Sequence, residues 1–182
     1  MFTQRIDEEL EFRLYEEADA EELFSVVDAN RAHIRRWMIW PEQIRTVEDE
    51  RAFVRANRER FAKENGFNAG IWQAGRLVGG VGFHYVNREH RKTEIGYWLA
   101  ESAQGRGVMT RAVRAMVAHA FGHWKLHRVI VYAATENRRS RAVVERLGFT
   151  MEGTAREAEW LGDRFVDLAL YSMLEHEWAG RS

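Results

Sequence analysis

The chain has 182 residues, enough for one domain that buries about two-thirds of its unfolded surface. With 46% hydrophobic and 30% charged residues and a formal net charge of −1, it has the balance of a globular domain and lacks the basic excess of a nucleic-acid binder. Cysteine is absent, which excludes disulfides, thiolate metal sites and a cysteine nucleophile, and no apolar run approaches the roughly 20 residues of a membrane span.

The opening MFTQRIDEEL carries acids where a signal peptide has its apolar core, so a cytoplasmic protein is expected. The only proline is Pro41, and no Ser/Gly-rich linker interrupts the chain, so a single domain is expected over residues 1–182. LEFRLY, residues 10–15, alternates apolar and polar side chains and reads as a strand. Asp19 is placed to cap a helix that turns Leu23, Val26 and Val27 inward and runs to about Arg31. Two tryptophans, Trp37 and Trp40, precede Pro41. Thr46 with Asp49 resembles a capping box opening a charged helix to about Asn65, with Phe53, Val54 and Phe61 inward.

The period then changes from helix to strand. FNAGIWQ and RLVGGVGFHYV read as an antiparallel hairpin turning at Ala74–Gly75, and KTEIGYWLA continues the sheet. Beyond AESAQGRG a helix runs from about Gly107 to Phe121, with Val108, Ala112, Met116 and Ala120 on one face. RVIVYAA is a nearly continuous apolar strand, the pattern of a strand covered on both faces. ENRRSRAVVERLGF is a helix stopped at Gly148, and TMEGTAREAEWL with RFVDLALYSML form two last strands about a Gly-Asp turn. The sum is a mixed α/β domain, one sheet with helices on both faces.

QGRGVMT is the stretch with the clearest chemistry. Its glycines let the backbone close around a ligand, and the following helix offers unpaired N–H groups and the positive end of its dipole. The lysine of a Walker loop is missing, and Gly107 is followed by Thr110 rather than the third glycine of a dinucleotide fingerprint. Alone, the stretch fits either a pyrophosphate cradle or a glycine-rich turn.

Set between EIGYWLAES and NRRSRAVVERLGF, this loop resembles the acetyl-CoA-binding core of the GNAT N-acetyltransferase superfamily, whose loop reads Q/R-x-x-G-x-G/A. Gln104 and Gly107 match that pattern, while Met109 stands where the last small residue is usual. RRWMIWP, KTEIGYWL and the C-terminal GFTMEGTAREAEWLGDRFVDLALYSML extend the resemblance to the Rim-type N-terminal acetyltransferases of ribosomal proteins. The resemblance implies a mostly antiparallel sheet of about seven strands flanked by about four helices. It also implies acetyl-CoA as cosubstrate with no metal, and direct attack by a primary amine in a ternary complex. The acceptor it implies is a protein N-terminus. A small amine is the alternative acceptor, and a non-catalytic CoA-binding sensor is a second alternative.

By that resemblance the cofactor contacts fall on Leu99, Gln104, Gly105, Arg106, Gly107, Val108, Met109, Thr110, Asn137 and Ser140, with the Leu99 N–H as oxyanion donor. An N-terminal amine, with pKa near 8, is within reach of a carboxylate or water relay. The Rim-type resemblance makes Glu159 in REAEWL the first candidate base, and Glu94, a charged residue in the central TEIGYW strand, is its rival. Strand alternation puts Glu157 and Glu159 on one face. Ser140 is the candidate hydrogen-bond donor to the leaving thiolate, with Tyr171 behind it. Asn137 either caps its helix or binds the pantetheine amide, two uses of the same oxygen. Trp37 and Trp40 either anchor the core or wall a slot for the acceptor. Arg138, Arg139 and Arg141 could reach a phosphate or line a solvated face, and Arg106 belongs to the loop itself. His119, His123 and His127 recur every four residues but lack the glutamate of a zinc helix. Edge strands near the C-terminus leave a homodimer open.

Overall fold

A computed structural model of the protein describes residues 3–179. In chain order it comprises β1 (Thr3–Arg5), β2 (Leu10–Leu14), α1 (Ala20–Ala29), α2 (Arg31–Arg35), α3 (Val47–Ala62), β3 (Phe67–Gln73), β4 (Arg76–Asn87) and β5 (Lys92–Leu99). There follow α4 (Val108–Gly122), β6 (Arg128–Ala134), α5 (Arg138–Arg146), β7 (Thr150–Trp160), β8 (Phe165–Leu174) and α6 (Glu175–Ala179). The eight strands form one sheet in the order β1-β2-β3-β4-β5-β6-β8-β7. Every neighbouring pair is antiparallel except β5–β6. The seven strands and four helices expected from the sequence are all present; β1, α2 and α6 are additions of three to five residues, too short to show a period.

Two hydrophobic clusters lie on opposite faces, because neighbouring strand residues divide between them. Ile71 belongs to the larger cluster with the inner face of α4, and Trp72 to the smaller one with Leu23 and Val27 of α1 and Val54 of α3. Val108, Ala112, Met116 and Ala120 are all buried, as the helical period requires. Thr46 and Asp49 form the capping box of α3: Asp49 N donates to Thr46 Oγ1 (3.2 Å) and Thr46 N to Asp49 Oδ2 (2.8 Å). Ala74 and Gly75 both take positive φ, 49° and 76°, as a two-residue hairpin turn with the right twist demands.

Two expectations fail locally. Asp19 does not cap α1. Its carboxylate instead accepts from Glu16 N (2.7 Å) and pairs with both guanidinium nitrogens of Arg13 (2.7 and 2.8 Å), because a nearby cation outcompetes the helix N–H groups. The first helix ends at Ala29, not Arg31: Asn30 Nδ2 donates to Val26 O (2.8 Å), takes up a carbonyl at the helix end, and the chain restarts as α2.

The feature that positions the site is the parting of β5 from β6. They pair at only three positions, Lys92 with Arg128, Thr93 with Val129 and Glu94 with Ile130. Beyond Glu94 the strands diverge, β5 staying with β4 to Leu99 and β6 staying with β8 to Ala134. Where the ladder stops, backbone groups on the facing edges lose their partners, and the gap between them opens as a cleft.

Candidate active site

The cleft leads to a cavity of about 800 Å³. It is lined by Glu94 and Tyr97 of β5, His84 of β4, Asn137 and Ser140 at the start of α5, Glu159 of β7, and Trp37, Met38 and Trp40 from the segment after α2. The sequence-derived candidates Glu94, Asn137, Ser140, Glu159, Trp37 and Trp40, spread over more than a hundred positions, therefore line one space.

On the loop that leads from β5 into α4, Gly105 and Gly107 both have left-handed backbone, φ 78° and 72°, and an added Cβ would meet nothing within 4 Å at either. Gly107 is the N-cap of α4, and its carbonyl accepts from Arg111 N (3.1 Å). The N–H groups of Val108, Met109 and Thr110 precede the helical ladder and converge on the loop. Such a concave, cationic backbone surface with open space in front of it fits a pyrophosphate. Val108 and Met109 bury their side chains in the main core, at 1% and 6% exposure, so the bulk of Met109 points away from the loop and its N–H stays available.

Gln104 has a further task. Its amide nitrogen bonds His33 Nε2 (2.7 Å) and its oxygen accepts from Arg139, which joins α2 to α5 across the loop. Arg141 is spent internally, donating to Tyr171 Oη (2.8 Å) and Thr135 O (2.9 Å), so of the α5 arginines it is unsuited to a phosphate. Arg146, which the sequence did not single out, donates to Thr110 Oγ1 (2.8 Å) and stands beside the N-terminus of α4. Arg106 is exposed on the loop.

Deeper in, Asn137 Oδ1 accepts from Ser140 N (3.1 Å) and caps α5. The cap takes the oxygen, leaving the Asn137 NH₂ as the group able to meet a ligand carbonyl. Ser140 Oγ donates to the Tyr97 hydroxyl (3.1 Å), which donates to Ser140 O (3.0 Å). Burial pushes the Tyr97 phenol up to about 12, so it is a neutral donor over the physiological range. Sequence reading missed Tyr97; its place three residues after Glu94, on the strand that borders the cleft, was the available signal. Tyr171 is excluded as a leaving-group donor: it is 1% exposed, does not line the cavity, and donates to Glu145 (2.5 Å) while accepting from Arg141.

The two candidate bases lie in one electrostatic unit. Glu94 Oε1 bonds His84 Nδ1 at 2.9 Å. Glu159 is half-buried, and its carboxyl is raised above the usual range by burial and then by the negative charge of Glu94, against a smaller opposing influence of His84. Glu157 and Glu159 do not share a face by simple alternation. Between Ala155, opposite Leu168, and Glu159, opposite Val166, β7 carries two extra residues in a bulge, with Glu157 at φ 49°. Glu157 N donates to Asp167 Oδ1 (2.8 Å) and the residue is exposed, whereas Glu159 lines the cavity. The bulge re-aims the strand, as bulges beside binding sites do.

The backbone supplies one more group. Ala100 N donates to Val78 O (2.8 Å) on the β4 side. Successive strand N–H groups point to opposite edges, so Leu99 N–H faces the unpaired edge of β5.

The tryptophan segment is pinned rather than loose. Arg31 donates to Pro41 O and to Ile44 O (2.8 Å), Arg35 pairs with Glu42 (3.0 Å), and Trp40 packs on Trp98 with ring centroids 5.9 Å apart. The tip of the β7–β8 hairpin is tied to the same segment by Arg164 Nη2 donating to Arg36 O (3.2 Å).

His119 serves packing, while His123 and His127 are exposed. His119 lies against Phe67, Phe83 and Trp124, and among the described residues no cluster of three His, Cys, Asp or Glu could hold a metal ion. No described helix is long and apolar enough to cross a membrane.

The family model described as an acetyltransferase (GNAT) domain matches residues 9–150. The chain belongs to the GNAT acetyltransferase family. It is 36% identical over 181 residues to YdaF of Bacillus subtilis (strain 168), provisionally named a ribosomal N-acetyltransferase, covering 99% of each chain. It is 28% identical over 172 residues to the ribosomal-protein-serine acetyltransferase of Escherichia coli (strain K12), covering 94% of this chain and 96% of that one. Among solved structures, RimL, a ribosomal L7/L12 α-N-protein acetyltransferase in complex with coenzyme A, superposes with a TM-score of 0.93 at 26% identity, covering 97% of this chain and 99% of the other. In this acetyltransferase the cavity lined by Glu94, Tyr97, Ser140 and Glu159 opens where β5 and β6 part.

Proposed function

We propose that this enzyme transfers acetyl from acetyl-CoA to the α-amine of a protein N-terminus, a ribosomal protein being the favoured acceptor, by direct attack within a ternary complex. The observation that carries the reading is the convergence of Glu159, Glu94, Tyr97 and Ser140 on the cavity that continues from the cleft between β5 and β6. The full-length similarity to ribosomal-protein acetyltransferases supports the choice of acceptor.

Each group has a task in that reaction. The pyrophosphate rests on the N–H groups of the Gly105–Gly107 loop and α4, and Arg146 and Arg106 supply positive charge nearby. The divergence of β5 from β6 admits the pantetheine arm, with the Asn137 NH₂ beside it. Glu159 accepts the proton of the incoming ammonium, and its raised pKa brings it nearer to the amine it must deprotonate. Glu94, held by His84, keeps that pKa raised and can relay the proton through water. The free amine attacks the thioester carbonyl carbon, and the oxygen that gains charge is met by Leu99 N–H. As the C–S bond breaks, Ser140 turns its hydroxyl to the departing sulfur while Tyr97 holds the serine in place.

The deciding experiment follows thiol release from acetyl-CoA with N-terminal peptides, peptides whose only free amine is a lysine, and small amines. Fast release with N-terminal peptides alone is expected. Release with small amines alone would replace the acceptor, and no release with any amine despite CoA binding would leave a binding domain.

A further inference from the structure

Glu50 of α3 is the outlier in this molecule. It is 2% exposed, it lines the cavity, and among the described residues its Oε1 has no hydrogen-bond partner. An unsatisfied buried carboxyl costs stability and is retained only where something offsets the cost. Burial, and then the charge of neighbouring Asp49, push it up to about 7, with Arg31 opposing. Arg31 does not pair with it; its guanidinium is committed to Asp28 and to the carbonyls of Pro41 and Ile44. The transfer reaction as derived does not use it.

The cavity around it favours one sign of charge. Among the described residues its lining includes three carboxyl groups, Glu50, Glu94 and Glu159, and neither lysine nor arginine; His84 is the one basic side chain there. In a protein of net charge −1 this is a local concentration of acid. The acceptor amine answers Glu94 and Glu159, which leaves Glu50 in surplus. The same lining is rich in aromatic rings, with Tyr15 and Phe53 6.0 Å apart and Trp40 against Trp98. Aromatic faces beside a carboxylate make an environment suited to an organic cation.

We propose that Glu50 is a specificity-determining residue that receives a second, positively charged group of the acceptor, an ammonium set apart from the amine that is acetylated. The proposal rests on the acyl-transfer reading of the cavity. The cation could be a lysine side chain near a peptide N-terminus or the far end of a polyamine, and the experiment separates them.

Wild type and Glu50→Gln, each saturated with CoA, are titrated calorimetrically with tetrapeptides bearing lysine or norleucine at position two or three, and with 1,4-diaminobutane or butylamine. Wild type is expected to bind the cationic member of at least one pair about tenfold more tightly, the scale of one desolvated charge pair, and Glu50→Gln to lose that preference. A gap with the lysine peptides places the cation on a protein acceptor, and a gap with the diamine alone places it on a polyamine. Equal binding within every pair in wild type, or a preference that survives Glu50→Gln, overturns the proposal. Unchanged CoA affinity and a thermal midpoint no lower than wild type show that the variant is folded, with Glu50→Met as the alternative should the glutamine fail. Because the readout is binding, absence of turnover with every amine would defeat the proposed function and still leave Glu50 judged.

Discussion

Ser140 and Tyr97 exchange hydrogen bonds across the cleft: the serine hydroxyl donates to the phenol at 3.1 Å, and the phenol donates to the serine carbonyl at 3.0 Å. The pair bridges β5 and the start of α5, which in the proposed reaction flank the leaving sulfur. If they act as a unit, their contributions are not additive. Ser140→Ala and Tyr97→Phe are each expected to lower kcat by roughly tenfold to a hundredfold, and the double variant to lose little more than the worse single one. A double-mutant cycle on kcat checks this, and a purely multiplicative result would separate the two roles.

Glu159→Gln is expected to lower kcat about a hundredfold with CoA affinity little changed, and rising pH to restore part of the rate as free amine accumulates. The base must be ionised, so activity falls as pH drops through its raised pKa. Glu94 contributes to that rise, so Glu94→Gln is expected to move the acid limb of kcat/KM to lower pH. A limb that stays in place in Glu94→Gln would uncouple the carboxylates, and full neutral-pH activity in Glu159→Gln would hand the base to Glu94 or a water relay.

Gly107→Val tests the phosphate cradle. At φ 72° a β-branched residue is strained, and its side chain would project into the open space before the loop. CoA affinity is expected to fall by at least about tenfold, with Gly122→Ala, a glycine that meets nothing within 4 Å, as the control that leaves it unchanged. Unaltered CoA binding in Gly107→Val would remove the loop from the cofactor site.

Asp19 and Arg13 form a two-point pair, and the Arg13 guanidinium also lies 3.9 Å over the Trp72 ring. Asp19→Ala leaves that cation without its partner in a largely enclosed place and is expected to cost about 2–3 kcal/mol. The check is a fall in the urea midpoint with no change in slope.

Burial, and then the neighbouring His123, hold His119 down to about 4. The unfolded chain takes up this proton below about 6.5 and the folded chain only near 4, so stability present above 6.5 is lost as pH falls between the two values. His119→Phe is expected to flatten the pH dependence of unfolding in that window, and an unchanged slope would assign the acid sensitivity elsewhere.

Much was already legible in the linear chain where the determinants are local. The period-two and period-3.6 runs located the long strands and helices, because burial of one face imposes that spacing on the residues themselves. Gly105 and Gly107 marked a left-handed loop before a helix, and Thr46 with Asp49 a capping box, since both depend on contacts within a few residues. Family resemblance, read from the same motifs, pointed to Glu159 and Ser140, and the charge of Glu94 in a central strand made it the rival base.

The tertiary structure decided what depends on distant partners. Arg13 drew Asp19 away from its cap, and a two-residue bulge broke the alternation that had paired Glu157 with Glu159. The parting of β5 from β6 revealed Tyr97 as Ser140's partner, while Glu145 and Arg141 removed Tyr171 from contention. Glu50 reads in the sequence as one more acid on a charged helix; only the packing of α3 against the sheet buries it beside the cavity. Periodicity records which face of an element is buried, but not which side chains from other elements meet it there.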